Sequence, residues 1–311
     1  MSKFGLKVFA PASVANMAVG YDVLGFAIDG PGDEILIRDG TKPGLRITKI
    51  TGAKRKLPLE VEKNTAGFAA LQFLKHIGED GRSIEMEIHK KMPFGSGLGS
   101  SAASAAAGVF AANEYMGCPM ETRDLLPFAV AGEQIADGAW HADNVAPSLL
   151  GGIILIRDNT SLDIVRLPSP YGLYATVIYP HISILTKESR AILSDTIKLD
   201  QHIKQSGNLA FFVAALYKLD LEMIRRSLED IIIEPQRAKL IPHFYEMKEI
   251  ALSEGALGFS ISGAGPSVFS LCENSLIAEN VGEKINAFLS DKKIANDVFV
   301  SKINNKGTFK L

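Results

Sequence analysis

The chain has 311 residues, 47% hydrophobic and 22% charged, which predicts about two globular units at roughly 150 residues each and excludes disordered or collagen-like composition. Thirty-three Lys and Arg stand against 35 Asp and Glu, a formal charge of −2, so no chain-wide positive field draws in nucleic acid or anionic lipid, and the expected partner is a small diffusing molecule. The two cysteines, Cys118 and Cys272, lie far apart in no ligand-like spacing; they offer neither a disulfide framework nor a zinc site, are expected to be buried, and fit a reducing compartment.

Near the N-terminus Lys7 interrupts the apolar run, leaving it shorter than the roughly 7 to 15 residues of a secretory signal core. Short strands are predicted at Leu6–Ala10, Leu24–Ile28, Glu34–Arg38 and Leu45–Lys49, separated by Gly and Pro clusters. Asn64 caps a helical pattern through Phe68, Leu71, Leu74 and Ile77 that closes at Gly78, and Ile84, Met86 and Ile88 alternate as a half-buried strand. A glycine loop leads into an alanine-rich helix running to about Met116. Its stretch Ala102–Ala112 is shorter than the about 20 residues that span a bilayer, so the chain reads as soluble and cytoplasmic. A helix over Arg123–Ala136, a polar loop from Asp137 to Ser148 and an apolar strand over Gly152–Ile156 follow. Leu167-Pro168-Ser169-Pro170 marks a boundary between a domain over 1–167 and a second over 168–311. Beyond it the pattern predicts a strand at Tyr174–Tyr179, three or four helices over Lys187–Ser253, paired strands Phe259–Ser262 and Ser267–Cys272, a helix near Ile277–Leu289 and a strand at Asp297–Ile303. Strands and helices interleave without strict βαβ order, which favours a two-domain α+β architecture with mixed or antiparallel sheets.

Gly95, Gly97 and Gly99 alternate in the loop Pro93-Phe94-Gly95-Ser96-Gly97-Leu98-Gly99. Absent Cβ atoms let successive backbone N–H groups converge, and the helix that starts at Ser100-Ser101 adds its own unpaired N–H groups and dipole. The pattern fits an anion nest, and equally a tight strand-to-helix connection. No lysine follows the last glycine and the spacing is not GxGxxG, so neither a Walker A loop nor a dinucleotide fingerprint is present.

Met92-Pro93-Phe94-Gly95-Ser96-Gly97-Leu98-Gly99-Ser100-Ser101-Ala102-Ala103 resembles the ATP-binding signature of the GHMP kinase family. Pro11-Ala12-Ser13-Val14-Ala15-Asn16 through Gly20-Tyr21-Asp22 to Leu24-Gly25 resembles that family's first motif, and Gly258 through Ser267, containing Gly263-Ala264-Gly265, resembles its third. His141-Ala142-Asp143-Asn144-Val145-Ala146-Pro147, Thr186-Lys187-Glu188-Ser189-Arg190 and Glu234-Pro235-Gln236-Arg237 point to the branch whose acceptor is L-homoserine. Two departures stand out: Ala18-Val19-Gly20 where Gly-Pro-Gly is common, and Ala142 where proline is usual.

The resemblance implies a two-domain fold with ATP between the domains, a homodimer, and Mg²⁺-assisted phosphorylation of the L-homoserine hydroxyl to O-phospho-L-homoserine. It assigns residues 93–103 to the nucleotide and Ser100 with Glu133 to the metal, hard oxygen donors that suit magnesium. Asn16, Asp22, His141, Asp143, Thr186, Arg190 and Arg237 would meet the acceptor, the arginines gripping its carboxylate. The position where several relatives place a catalytic aspartate is Asn144, whose amide takes up no proton at neutral pH. Direct transfer with Asp22 orienting the hydroxyl is therefore expected. Alternatives are a kinase of the same family with a mevalonate, sugar or shikimate acceptor, and a binder of nucleotide or amino acid without turnover.

Overall fold

The computed structural model describes residues 5–53, 57–93, 95–138, 140–184 and 186–311, with the side chains of Asp137 and Thr186 outside that description. Chain order is β1 (Leu6–Ala15), β2 (Leu24–Asp39), β3 (Leu45–Thr51), α1 (Thr65–His76), β4 (Ile84–His89), α2 (Ser100–Tyr115), α3 (Leu126–Asp137), α4 (Val145–Leu150), β5 (Ile153–Asp158) and β6 (Asp163–Leu167). Then come β7 (Tyr174–Pro180), α5 (Thr186–Ala191), α6 (Leu199–Lys218), α7 (Leu221–Ser227), α8 (Glu234–Arg237), α9 (Phe244–Ser253), β8 (Gly258–Ile261), β9 (Val268–Cys272), α10 (Ser275–Asp291), β10 (Asn296–Lys302) and β11 (Phe309–Lys310).

One seven-stranded sheet runs β11-β1-β2-β4-β3, with β5 on the first half of β2 and β6 on β5; a four-stranded sheet runs β10-β7-β9-β8. The fold is α+β with mixed sheets, because β3 pairs parallel to β4 while every other paired strand is antiparallel. The two strands predicted at Leu24–Ile28 and Glu34–Arg38 are one strand whose halves take different partners. The helix expected over Arg123–Ala136 opens with a 3₁₀ turn over Thr122–Leu125. The expected loop 137–148 contains the start of α4, and β6 and β11 answer to no prediction. Five α-helices, rather than three or four, lie between β7 and β8 among the described residues.

Local chemistry explains the elements that carry the site. The Asn64 side chain accepts from the N–H groups of Ala66 (3.1 Å) and Gly67 (3.3 Å), the expected cap of α1. Helix α2 is apolar all round because it is buried between the sheet and α1, and its alanines bring the backbones close; a Cβ at Gly108 would strike the carbonyl of Ala66. The core is continuous across the two sheets, where the rings of Phe26 and Phe269 meet edge to face at 5.8 Å. Cys272 is buried as expected, with burial pushing its thiol up to about 11. Cys118, expected buried, is exposed just past the end of α2. No helix among the described residues is long and apolar enough to cross a membrane.

Candidate active site

The three alternating glycines adopt the left-handed backbone that their spacing predicts, with φ of 66° at Gly95, 79° at Gly97 and 66° at Gly99. The loop they form is stitched to two distant segments. Ser13 N–H donates to the Leu98 carbonyl (3.1 Å), Ser267 N–H to the Ser96 carbonyl (3.1 Å) and Ser262 Oγ to the Gly97 carbonyl (2.7 Å). Asn16 Nδ2 closes the triangle on the Gly263 carbonyl at 3.0 Å. A Cβ on Gly97 would sit 2.7 Å from the Ser262 carbonyl, so glycine is required for this approach as well as for the backbone angle.

These segments line one side of a cavity of about 420 Å³. Asn16, Asp22, Gly95, Gly97, Gly99, Ser100, Ser101, Glu133, His141, Asp143, Asn144, Arg190 and Arg237 all face it, so residues scattered over more than two hundred positions converge as expected. Ser96, Leu98, Ala102 and Ala103, expected to touch the nucleotide, are instead buried behind the loop and pack it in place. Pro93 does not line the cavity either; its carbonyl accepts from Ser96 Oγ (2.8 Å) and so closes the start of the loop. Phe94 lies outside the described residues; Thr186 starts α5, its side chain likewise outside them.

At the start of α2, Ser101 Oγ donates to Glu133 Oε1 on α3 at 2.7 Å. Ser100, expected at the metal together with Glu133, lines the cavity while its hydroxyl donates to Asp33 Oδ2 (3.3 Å). Successive residues on a helix differ by about 100° in direction, so neighbouring serines cannot both face Glu133. A hydroxyl and one carboxylate are hard donors of the kind magnesium takes, its remaining positions being filled by phosphate oxygens and water. No group of three His, Cys, Asp or Glu suited to a metal forms among the described residues.

Beneath the loop lies a buried network that single-residue reading missed. Asp33, fully buried on β2, accepts from Lys91 N–H (3.0 Å), Met92 N–H (3.4 Å), Ser100 Oγ (3.3 Å) and Ser104 Oγ (3.0 Å), and pairs with Lys90. Lys90 Nζ also donates to the Ser100 carbonyl and to Ser104 Oγ, each at 2.7 Å. One carboxylate therefore ties the chain entering the glycine loop to the helix leaving it. Leu57, Pro58 and Ile88, also unforeseen, add apolar lining to the same cavity, and Lys63, Asn64 and Thr65 add polar lining.

At the other end, Arg190 grips Asp22 bidentately at 3.1 and 3.2 Å, and His141 Nε2 stands 3.9 Å from the same carboxylate. Burial works against the Arg190 charge, but Asp22 outweighs it and raises the guanidinium above its ordinary value. Arg237, expected to fork a substrate carboxylate, directs Nε to the Ser189 carbonyl (3.1 Å), Nη1 to the Gly263 carbonyl (2.9 Å) and Nη2 to the Tyr21 hydroxyl (3.2 Å). Its burial lowers it from the usual arginine value. Burial, then the Asp22 charge, raises the Tyr21 phenol, and both guanidinium groups lie over its ring, at 5.8 and 4.9 Å. The loop presenting Asp22 is strained: Asn16, Met17, Ala18 and Asp22 all have φ between 41° and 74°. Asn144 caps no helix N–H; its Oδ1 accepts from Ser13 Oγ at 2.9 Å.

With this geometry in place, comparison with known proteins is decisive. Residues 64–152 match the GHMP kinases N terminal domain and residues 212–291 the GHMP kinases C terminal domain. A homoserine kinase of Chlorobium phaeobacteroides is 44% identical over 96% of this chain and 97% of that protein. The chain belongs to the GHMP kinase family. The crystal structure of homoserine kinase from Cytophaga hutchinsonii superposes with a TM-score of 0.97 at 49% identity, covering 100% of this chain and 98% of that one. A mevalonate kinase crystal structure shares the fold at a TM-score of 0.74 and 16% identity. The GHMP kinase resemblance read from residues 11–25, 92–103 and 258–267 therefore holds, as does the α+β fold it implied. The cavity belongs to a phosphotransferase whose donor is ATP.

Proposed function

We propose that the chain transfers the terminal phosphoryl group of ATP to the side-chain hydroxyl of L-homoserine, giving O-phospho-L-homoserine and ADP. The observation that carries this reading is one cavity with an amide-rich loop and a hydroxyl–carboxylate pair at one end and a mixed-charge cluster at the other. Relatives named homoserine kinase at 44% and 49% identity over nearly the whole chain support it.

Gly95, Gly97, Gly99, Ser100 and Ser101 cup the phosphates with backbone N–H groups, while Leu57, Pro58 and Ile88 take the base. Ser101 and Glu133 would hold Mg²⁺, which when bound would neutralise phosphate charge and polarise the transferring group. At the acceptor end the Asp22–Arg190 pair suits a zwitterion. An incoming amino acid exchanges its carboxylate for Asp22 on the guanidinium and its ammonium for Arg190 on Asp22, so neither protein charge is left alone. His141, Asp143 and Arg237 complete that end. Asn144 offers no basic group, so the hydroxyl attacks directly, aligned by Asp22, and its proton passes to a phosphoryl oxygen.

The test is an ADP-release assay with L-homoserine, L-serine, mevalonate, shikimate and galactose. L-Homoserine should give the highest kcat/KM; equal or higher turnover of another acceptor would falsify the assignment, and ADP with none of them would mark a binder.

We further propose that the protein works in the cytoplasm, with residues 1–167 and 168–311 as its two domains, and that it forms a homodimer through α6. Leu199, Ile203 and Tyr217 are 72, 62 and 62% exposed, and with Ala210 and Ala214 they form one stripe along the helix at successive spacings of four, seven, four and three. Two copies packed antiparallel bring Leu199 to the partner's Tyr217 and Asp200 to the partner's Lys218, small residues meeting at the crossing. Ile203→Asp should halve the mass measured by light scattering; wild-type protein that is already monomeric at micromolar concentration contradicts the dimer.

A further inference from the structure

The β5–β6 turn plays no part in the reaction described above, yet it touches both arms of the acceptor end. Asn159 begins this turn, half-buried, immediately after Asp158. Its Nδ2 donates to the main-chain carbonyl of Asp22 at 3.1 Å, and its Oδ1 accepts from the N–H of Ala142 at 2.9 Å. Its own carbonyl accepts from Trp140 Nε1 at 2.8 Å. One arm is thus fixed at the residue that carries the Asp22 carboxylate, the other on both sides of His141, at Trp140 and Ala142. The turn is itself braced: Asp158 accepts from Thr160 N–H (2.9 Å) and Ser161 Oγ (2.7 Å).

A side-chain amide suits this place because it alone pairs a donor for the carbonyl with an acceptor for the N–H at one fixed spacing. Aspartate would set an oxygen against the Asp22 carbonyl, and a shorter polar group would reach one arm only. Both arms need such a tie. The Asp22 loop is held at positive φ by its surroundings, and the 140–143 segment is irregular backbone between α3 and α4.

We propose that Asn159 is a positioning residue for phosphoryl transfer, setting the separation between Asp22 and His141 and thereby the fit of the amino-acid acceptor. It acts through the two main chains without touching the acceptor itself, and it rests on the reading of Asp22 and 141–143 as the acceptor end. The nucleotide end, built on residues 95–101 and Glu133, is independent of it.

The experiment measures steady-state kinetics of full-length Asn159→Ala and Asn159→Asp, with Ser161→Ala as a control that loses only a bond within the turn. Both Asn159 variants should raise the KM for L-homoserine about tenfold or more and lower kcat. The KM for ATP should stay within about twofold and the thermal midpoint should fall by no more than about a few degrees, the loss of two neutral hydrogen bonds at a partly exposed turn; Ser161→Ala should match wild-type kinetics. Equal rises in both KM values, or no change in either, overturn the proposal. Wild-type turnover of L-homoserine with unaffected Asn159 variants sinks this inference alone, whereas wild-type protein that does not phosphorylate L-homoserine sinks the acceptor reading and this inference with it.

Discussion

Glu133→Gln is expected to lower kcat by about 10² to 10³, a loss of roughly 3–4 kcal/mol of transition-state stabilisation. The amide keeps the size of the side chain and can still accept the Ser101 hydroxyl that lies at 2.7 Å, so folding is preserved and what disappears is the negative charge. The magnesium concentration giving half-maximal rate should rise in parallel. Asn144→Ala removes the acceptor of Ser13 Oγ, a neutral hydrogen bond contributing about 1 kcal/mol, and should cost less than about tenfold. If the Asn144 variant is the more damaged of the two, direct transfer aligned around Ser101 and Glu133 is wrong. Rates measured across a magnesium series with both variants decide it.

The second large effect is on stability. Asp33→Asn leaves the Lys90 ammonium buried with its anionic partner gone and turns an amide N–H₂ toward donors that need an acceptor. Removing one member of a buried ion pair costs about 3–5 kcal/mol, and urea unfolding should show a loss of that size. The Lys90→Met variant strands the opposite charge and should lose a similar amount. Because the two share one interaction, the double variant should lose clearly less than the sum. Full additivity would mean that Asp33 and Lys90 act independently, contrary to the network beneath the glycine loop.

That network also shows where sequence reading reaches its end. The glycine loop was legible because backbone geometry is dictated locally: alternating glycines announce positive φ, and Gly95, Gly97 and Gly99 all adopt it. The α1 cap was legible for the same reason, since Asn64 bonds residues two and three positions ahead. Asp33 and Lys90 are 57 positions apart, and each alone resembles any charge near a strand end. Ser100 and Ser101 could be placed at the helix start, but which hydroxyl meets Glu133 depends on helix rotation against α3, set by packing. The motif blocks singled out Asp22, Arg190 and Arg237, yet not the Asp22–Arg190 and Arg237–Tyr21 pairings, which depend on how the chain returns on itself. Helix α4 begins inside the stretch Asp137 to Ser148 that its polar residues mark as loop, although Val145 to Leu149 are buried. The short edge strands β6 and β11 carry too few residues for a period to show.

Strand β11 has a consequence for how the molecule is made. Phe309 and Lys310 pair with Phe9 and Val8, and Ile303 bridges Ile28, so this flank of the sheet is covered only by residues made about three hundred positions after β1. Until then the flank of β1 is an open template for foreign strands. Synthesis order therefore leaves this edge of the sheet uncovered while the residues between β1 and β11 are translated.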